Sequence, residues 1–130
     1  MTSPREQLAA EIKAHLATVG LSSVDVKDWG HSPEELSRPL VTVFRTDVEP
    51  KPAALAIEHS FTVQLMGTQQ YATRETEAAL EALLDEVLVA LQKVSVVTWS
   101  KASRKVFLEL FHGWEIEVTW TSGDVYRNAI

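Results

Sequence analysis

Residues 40–66 read LVTVFRTDVEPKPAALAIEHSFTVQLM, and the reading of this stretch decides the fold class. Leu40–Thr46 is β-branched and aromatic, a composition that suits a pleated, half-buried surface. Ile57–Met66 alternates apolar with polar side chains, the period of a strand with one face buried. The two segments are expected to pair. Between them Pro50 and Pro52 cannot donate to a ladder, so Asp47–Ala56 is expected to be a long, exposed hairpin connection.

Upstream, Ser3, Pro4 and Glu6 form a helix-start signature, and Leu8, Ile12, Leu16 and Val19 recur on one helical face until Gly20. Val24, Val26 and Trp29 suggest a short strand. Ser32, Pro33 and Glu35 repeat the helix-start signature, but Pro39 leaves room for one turn at most. Downstream, Thr73 caps a helix running to about Val94, whose Leu80, Leu83, Leu84, Val87, Leu88, Leu91 and Val94 form a wide apolar stripe. The remaining third contains VSVVTWS, KVFLELF and an alternating Trp114–Trp120 segment, expected as a meander or a long hairpin around His112 and Gly113. The predicted order is α-β-β-β-α-β-β. That order gives an α+β domain over 1–130, with two helices packed on one face of a mostly antiparallel sheet.

Composition narrows the function. The chain of 130 residues carries 18 acidic against 12 basic side chains, a net charge of −6, which offers phosphate backbones and anionic lipid no net attraction. It has no cysteine, hence no disulfide, thiolate ligand or cysteine nucleophile. No apolar run approaches the roughly 20 residues needed to cross a bilayer, and the N-terminus shows no signal core, so a soluble protein made in a reducing cytoplasm is expected.

No catalytic constellation emerges. His15, His31, His59 and His112 lie far apart, without the spacing of a metal motif, so no metal is expected. Three close carboxylate pairs have bland explanations. Glu34 and Glu35 suit a helix start, Asp85 and Glu86 the helix side away from the leucines, and Glu115 and Glu117 a polar strand face. Glycine-rich phosphate loops and nucleophile elbows are missing, so neither nucleotide cofactor nor enzymatic activity is expected. The α-β-β-β-α beginning is shared with double-stranded RNA-binding domains, but the start of the second helix reads TRETE where such a domain needs basic residues.

Interaction residues are easier to nominate. Ala78, Ala82 and Val89 lie nearly opposite the leucine stripe, on a strip where another subunit can approach closely. Trp29, Arg38, Val48, Glu49 and Lys51 are nominated from loop position and expected exposure. Four tryptophans and four phenylalanines supply more aromatic area than one sheet face under two helices obviously needs.

Taken in order, the short first helix, RPLVTVFR led by Arg38 and Pro39, IEHSFTVQLMG, ETEAALEALLDEVLVAL, WSKASR and FHGWEIEVTW resemble the tail terminator proteins of long-tailed bacteriophages. The resemblance covers nearly the whole chain and is most specific from Trp99 to Trp120. It implies a homo-oligomeric ring, usually a hexamer, at the tail-neck junction of the virion. Such a ring caps the tail tube, stops polymerisation of tube protein and offers a surface for the head-tail connector. It implies no cofactor and no specific nucleic-acid binding, although DNA passes through the lumen. A different neck protein, a small-ligand-binding α+β domain using Arg45, Thr62 and Gln64, and a cellular interaction domain are the alternatives.

Overall fold

The structure, a computed structural model, describes residues 3–52, 55–68 and 73–123. Helix α1 covers Pro4–Thr18, and the Ser3 Oγ accepts a hydrogen bond from the Glu6 amide at 3.2 Å, satisfying one orphan donor of the first turn. Gly20, just past the helix end, has φ +82°, where a side chain would be strained. Strand β1 is Asp25–Lys27, β2 Leu40–Lys51 and β3 Ala56–Met66. Helix α2 covers Arg74–Gln92, and its capping box is built from Thr73 and Thr76, each side chain meeting the other's backbone amide. Strands β4, Val97–Phe107, and β5, Phe111–Gly123, complete the order α-β-β-β-α-β-β.

The five strands form one sheet in the order β1-β2-β3-β5-β4, antiparallel except for the short β1–β2 pairing. Leu8, Ile12 and Leu16 of α1, with Leu83, Val87 and Leu91 of α2, pack on a single face. They meet Val41, Val43, Phe61, Val63, Leu65, Ile116 and Val118. Burying each such side chain contributes about 1.5–3 kcal/mol, so this layer dominates the stability. The other face is polar, with Thr42, Gln64, Glu115 and Glu117 along its middle. At one end it is closed by a small cluster of Leu40, Met66 and Phe111 under Leu36 and Phe107.

Three expectations are corrected. The connection expected over Asp47–Ala56 is mostly strand: β2 continues through Pro50 to Lys51, each residue paired with β3, and 53–54 lie outside the described residues. Proline is tolerated because β1 pairs only with Leu40–Thr42, leaving the rest of β2 an edge that needs no outward donor. The last hairpin turns at Leu108–Leu110, with His112 and Gly113 inside β5. Gly113 is there for close approach: a Cβ on it would lie 1.7 Å from the Leu65 carbonyl oxygen. Residues 32–39 form no helical turn, so Glu34 and Glu35 owe nothing to a helix dipole.

Candidate interaction site

Strand pairing places the two long hairpins at opposite ends of the sheet. Ala56 pairs with Gly123 at one end of β3, next to the β2–β3 turn, and Met66 pairs with Gly113 at the other, next to the β4–β5 turn. The β2 arm is exposed continuously from Arg45 to Pro50. Three nominated residues sit on it. Val48 is exposed and pairs with His59, while Lys51 Nζ lies 3.3 Å from Glu49 and 3.9 Å from Glu58, offsetting the repulsion of two glutamates paired directly across the strands. Glu49 and Lys51 therefore hold the arm together as well as facing solvent.

At the opposite end the β4–β5 tip is apolar and exposed. Val106 and Leu108 are each 52% exposed and Leu110 is 38% exposed. Leu108 has φ 55° and Glu109 φ 60°, with the Leu110 amide donating to the Phe107 carbonyl at 3.0 Å. Two consecutive left-handed residues match the twist of a tight hairpin but favour asparagine or glycine, neither of which is present. VFLELF holds no turn residue, so the sequence places the turn at His112 and Gly113 and gives no signal for the tip.

Beside the tip, on the helix side, lies an open groove of about 430 Å³. Helix α2 contributes Ala79, Leu80, Ala82 and Leu83, and the connection between α1 and β1 contributes Leu21 and Val24. Polar atoms enter from Glu75, Thr76 and His112. Close by, Arg104 of β4 ties the hairpin to α2. Its guanidinium donates to both Glu77 carboxylate oxygens, to the Gly113 carbonyl at 3.3 Å and to the His112 Nδ1 at 2.8 Å. The hydrogen bond from Arg104, more than its charge, holds the Glu77 carboxyl below its ordinary range.

The other nominated residues do not converge on the groove. Trp29 is exposed, with the Lys27 ammonium 5.3 Å from its ring centre, and Arg38 pairs with Asp25 at 3.2 Å. Ala78 and Val89 are exposed on α2 as expected, and of that strip Ala82 alone lines the groove. Arg45, Thr62 and Gln64 do not form a site: Arg45 pairs with Phe61 and shares its helix-side face, whereas Thr62 and Gln64 face the other way.

Two histidines hold structural positions that spacing alone did not reveal. His15 is buried between the helices, donating through Nε2 to Glu86 at 2.7 Å and accepting at Nδ1 from the Lys93 ammonium at 2.7 Å. Glu86 is therefore half-buried against α1, not on the solvent side of α2. His59 is 2% exposed; its Nε2 lies 3.3 Å from the Ser122 hydroxyl, and its Nδ1 has no hydrogen-bond partner among the described residues. Burial, seconded by the Arg45 charge, lowers its pKa from the ordinary 6.5. Among the described residues no three histidine or carboxylate groups gather as a metal site, and no helix is long and apolar enough to cross a membrane. The sequence matches no protein-family model and no curated protein.

Proposed function

We propose that the chain is a structural assembly protein of the phage tail-terminator kind, forming a ring that ends the tail tube and receives the head connector. The observation that carries this reading is the projection of two hairpins from opposite ends of one sheet. A ring subunit meets neighbours around the ring as well as partners above and below it, and so needs separate exposed contact surfaces. The exposed β2 arm supplies a surface for an axial partner and the apolar β4–β5 tip a second surface for contact, while the helix layer holds the sheet rigid between them.

The mechanism is steric. Docked on the growing end of the tube, the ring presents a face that cannot accept another tube subunit. The net charge of −6 suits a lumen through which DNA slides, because holding phosphates needs lysine and arginine. Small contacts of this kind gain strength when several engage together, so subunits assemble on the tube more firmly than in free solution.

Electron microscopy of particles made with the gene deleted, and then supplied again, tests this. Overlong tubes lacking heads, restored to normal by the returned gene, are expected. Tubes of normal length that still fail to join heads move the protein to the connector side, and unaffected virions end the phage reading. A second reading, a small-molecule-binding domain, is favoured by the groove, whose 430 Å³ falls within the about 300–1,000 Å³ of ligand pockets. Native mass spectrometry of the purified protein tests that reading directly.

A further inference from the structure

We infer that the β4–β5 tip of one copy docks in the α2 groove of a second copy, so that each chain carries both halves of a self-assembly contact. The inference deepens the ring reading and rests on it for its biological meaning.

The two surfaces complement one another in chemistry. The tip presents Leu108 and Leu110 to solvent, and the groove is walled by Leu21, Val24, Leu80 and Leu83 with the small Ala79 and Ala82 leaving room for an incoming side chain. Their charges are also opposite. Strand β4, which leads into the tip, carries Lys101, Arg104 and Lys105 and no acidic residue, whereas the first turns of α2 carry Glu75, Glu77 and Glu81. Within one chain Arg104 already takes Glu77, leaving the exposed Lys105 and Glu75 to meet across the contact. The single acid of the tip, Glu109, has Arg74 beside Glu75 as its counterpart.

The backbone argues the same way. Two leucines and a glutamate form a turn in which glycine or asparagine would relieve the left-handed strain, and the side chains kept there are large, apolar and solvent-facing. A knob and a groove side by side on one chain can repeat head to tail, closing into a ring when the rotation per step allows, or be answered reciprocally in a dimer. Edge-to-edge strand pairing is opposed at β2 by a bulge between Arg45 and Asp47 and at β4 by one between Trp99 and Lys101.

The absence of native cysteine makes the test clean. Leu108→Cys and Ala82→Cys chains are mixed at high concentration under mild oxidation. Mixed disulfides are expected to form at least about tenfold faster than either variant joins itself, reflecting the raised local concentration at a docked contact. Equal rates for all pairings overturn the inference, as does a small molecule found filling the groove by native mass spectrometry. Chains without cysteine control for chance collisions: added Leu108→Asp chains must not compete with Leu108→Cys for Ala82→Cys, whereas added parent chains must. A chain carrying both Leu108→Cys and Ala82→Cys then separates this inference from the ring reading. A ladder of cross-linked species ending at a closed ring supports both, a ladder ending at a reciprocal dimer keeps the contact and removes the ring, and no ladder removes the contact while leaving the ring to the tail-assembly experiment.

Discussion

His59 is the side chain whose surroundings most clearly set a solution property. It is buried, its Nδ1 has no partner among the described residues, and both burial and Arg45 oppose its protonation. In the unfolded chain it takes up a proton as pH falls through 6.5, while in the folded chain it resists until lower pH. The stability contributed by keeping His59 neutral is thus complete above pH 6.5 and is lost progressively as pH falls from there towards the lowered folded value. Urea denaturation of the parent and of His59→Phe should show the parent losing ground to the variant below pH 6.5, by no more than about 1.4 kcal/mol per pH unit for one proton. A constant gap between pH 5 and 8 would contradict the assignment. Gly113 tests packing in the same way. Its missing Cβ lets β5 approach the Leu65 carbonyl, so Gly113→Ala must push two central strands apart and should cost about 3 kcal/mol, the upper end for overpacking. Neither role was legible beforehand. Glycine and histidine say nothing about burial by themselves, and the partners involved, Leu65 and Ser122, are distant in sequence. Glu86 shows the same limit: helical spacing placed it opposite the leucines, but α1 crosses there and brings His15 to it.

Elements were legible to the extent that their periodicity was strong. The α2 stripe is buried at Leu80, Leu83, Leu84, Val87 and Leu91, and the Ile57–Met66 alternation became β3 with every odd residue from Ile57 to Leu65 buried. Sequence failed where local propensity and context disagree. Pro50 ends a central strand but not an edge, and edge status depends on β1 being only three residues long. The β4–β5 turn was hidden because its residues are strand formers forced into left-handed geometry. That geometry carries its own prediction. Replacing Glu109 with glycine, or Leu108 and Glu109 with Asn-Gly, removes a steric cost of about 1–2 kcal/mol per residue, partly offset by glycine's greater freedom when unfolded. Glu109→Gly should therefore raise stability by about 0.5–1 kcal/mol, a few degrees in Tm by calorimetry. A fall in Tm would mean that the turn is held by contacts of the glutamate itself.

At the scale of the whole molecule, the residues that hold the fold together and those left exposed for contact are different ones. The core lies between the helices and the middle of the sheet, whereas the surfaces offered for contact lie on the β2 arm, the β4–β5 tip, the Trp29 connection and the outer strip of α2. Exposed side chains away from the core usually change stability by no more than about 0.5 kcal/mol when replaced. Val48→Lys on the arm, Trp29→Ala in the connection before β2 and Val89→Lys on α2 should accordingly leave Tm near that of the parent. If the chain works by assembly, the same variants should differ in their power to rescue a deletion. Arm variants should give tails whose tubes are not properly ended or joined, since the arm projects from one end of the sheet where an axial partner would sit. Val89→Lys, on the flank of α2, should instead weaken the association of subunits with one another. Normal rescue by all three, with each folded as the parent, would show that these exposed surfaces meet nothing and that assembly rests on the tip and groove alone. Selective failure, with folding intact, would separate the axial contacts from the lateral ones and give each end of the sheet its partner.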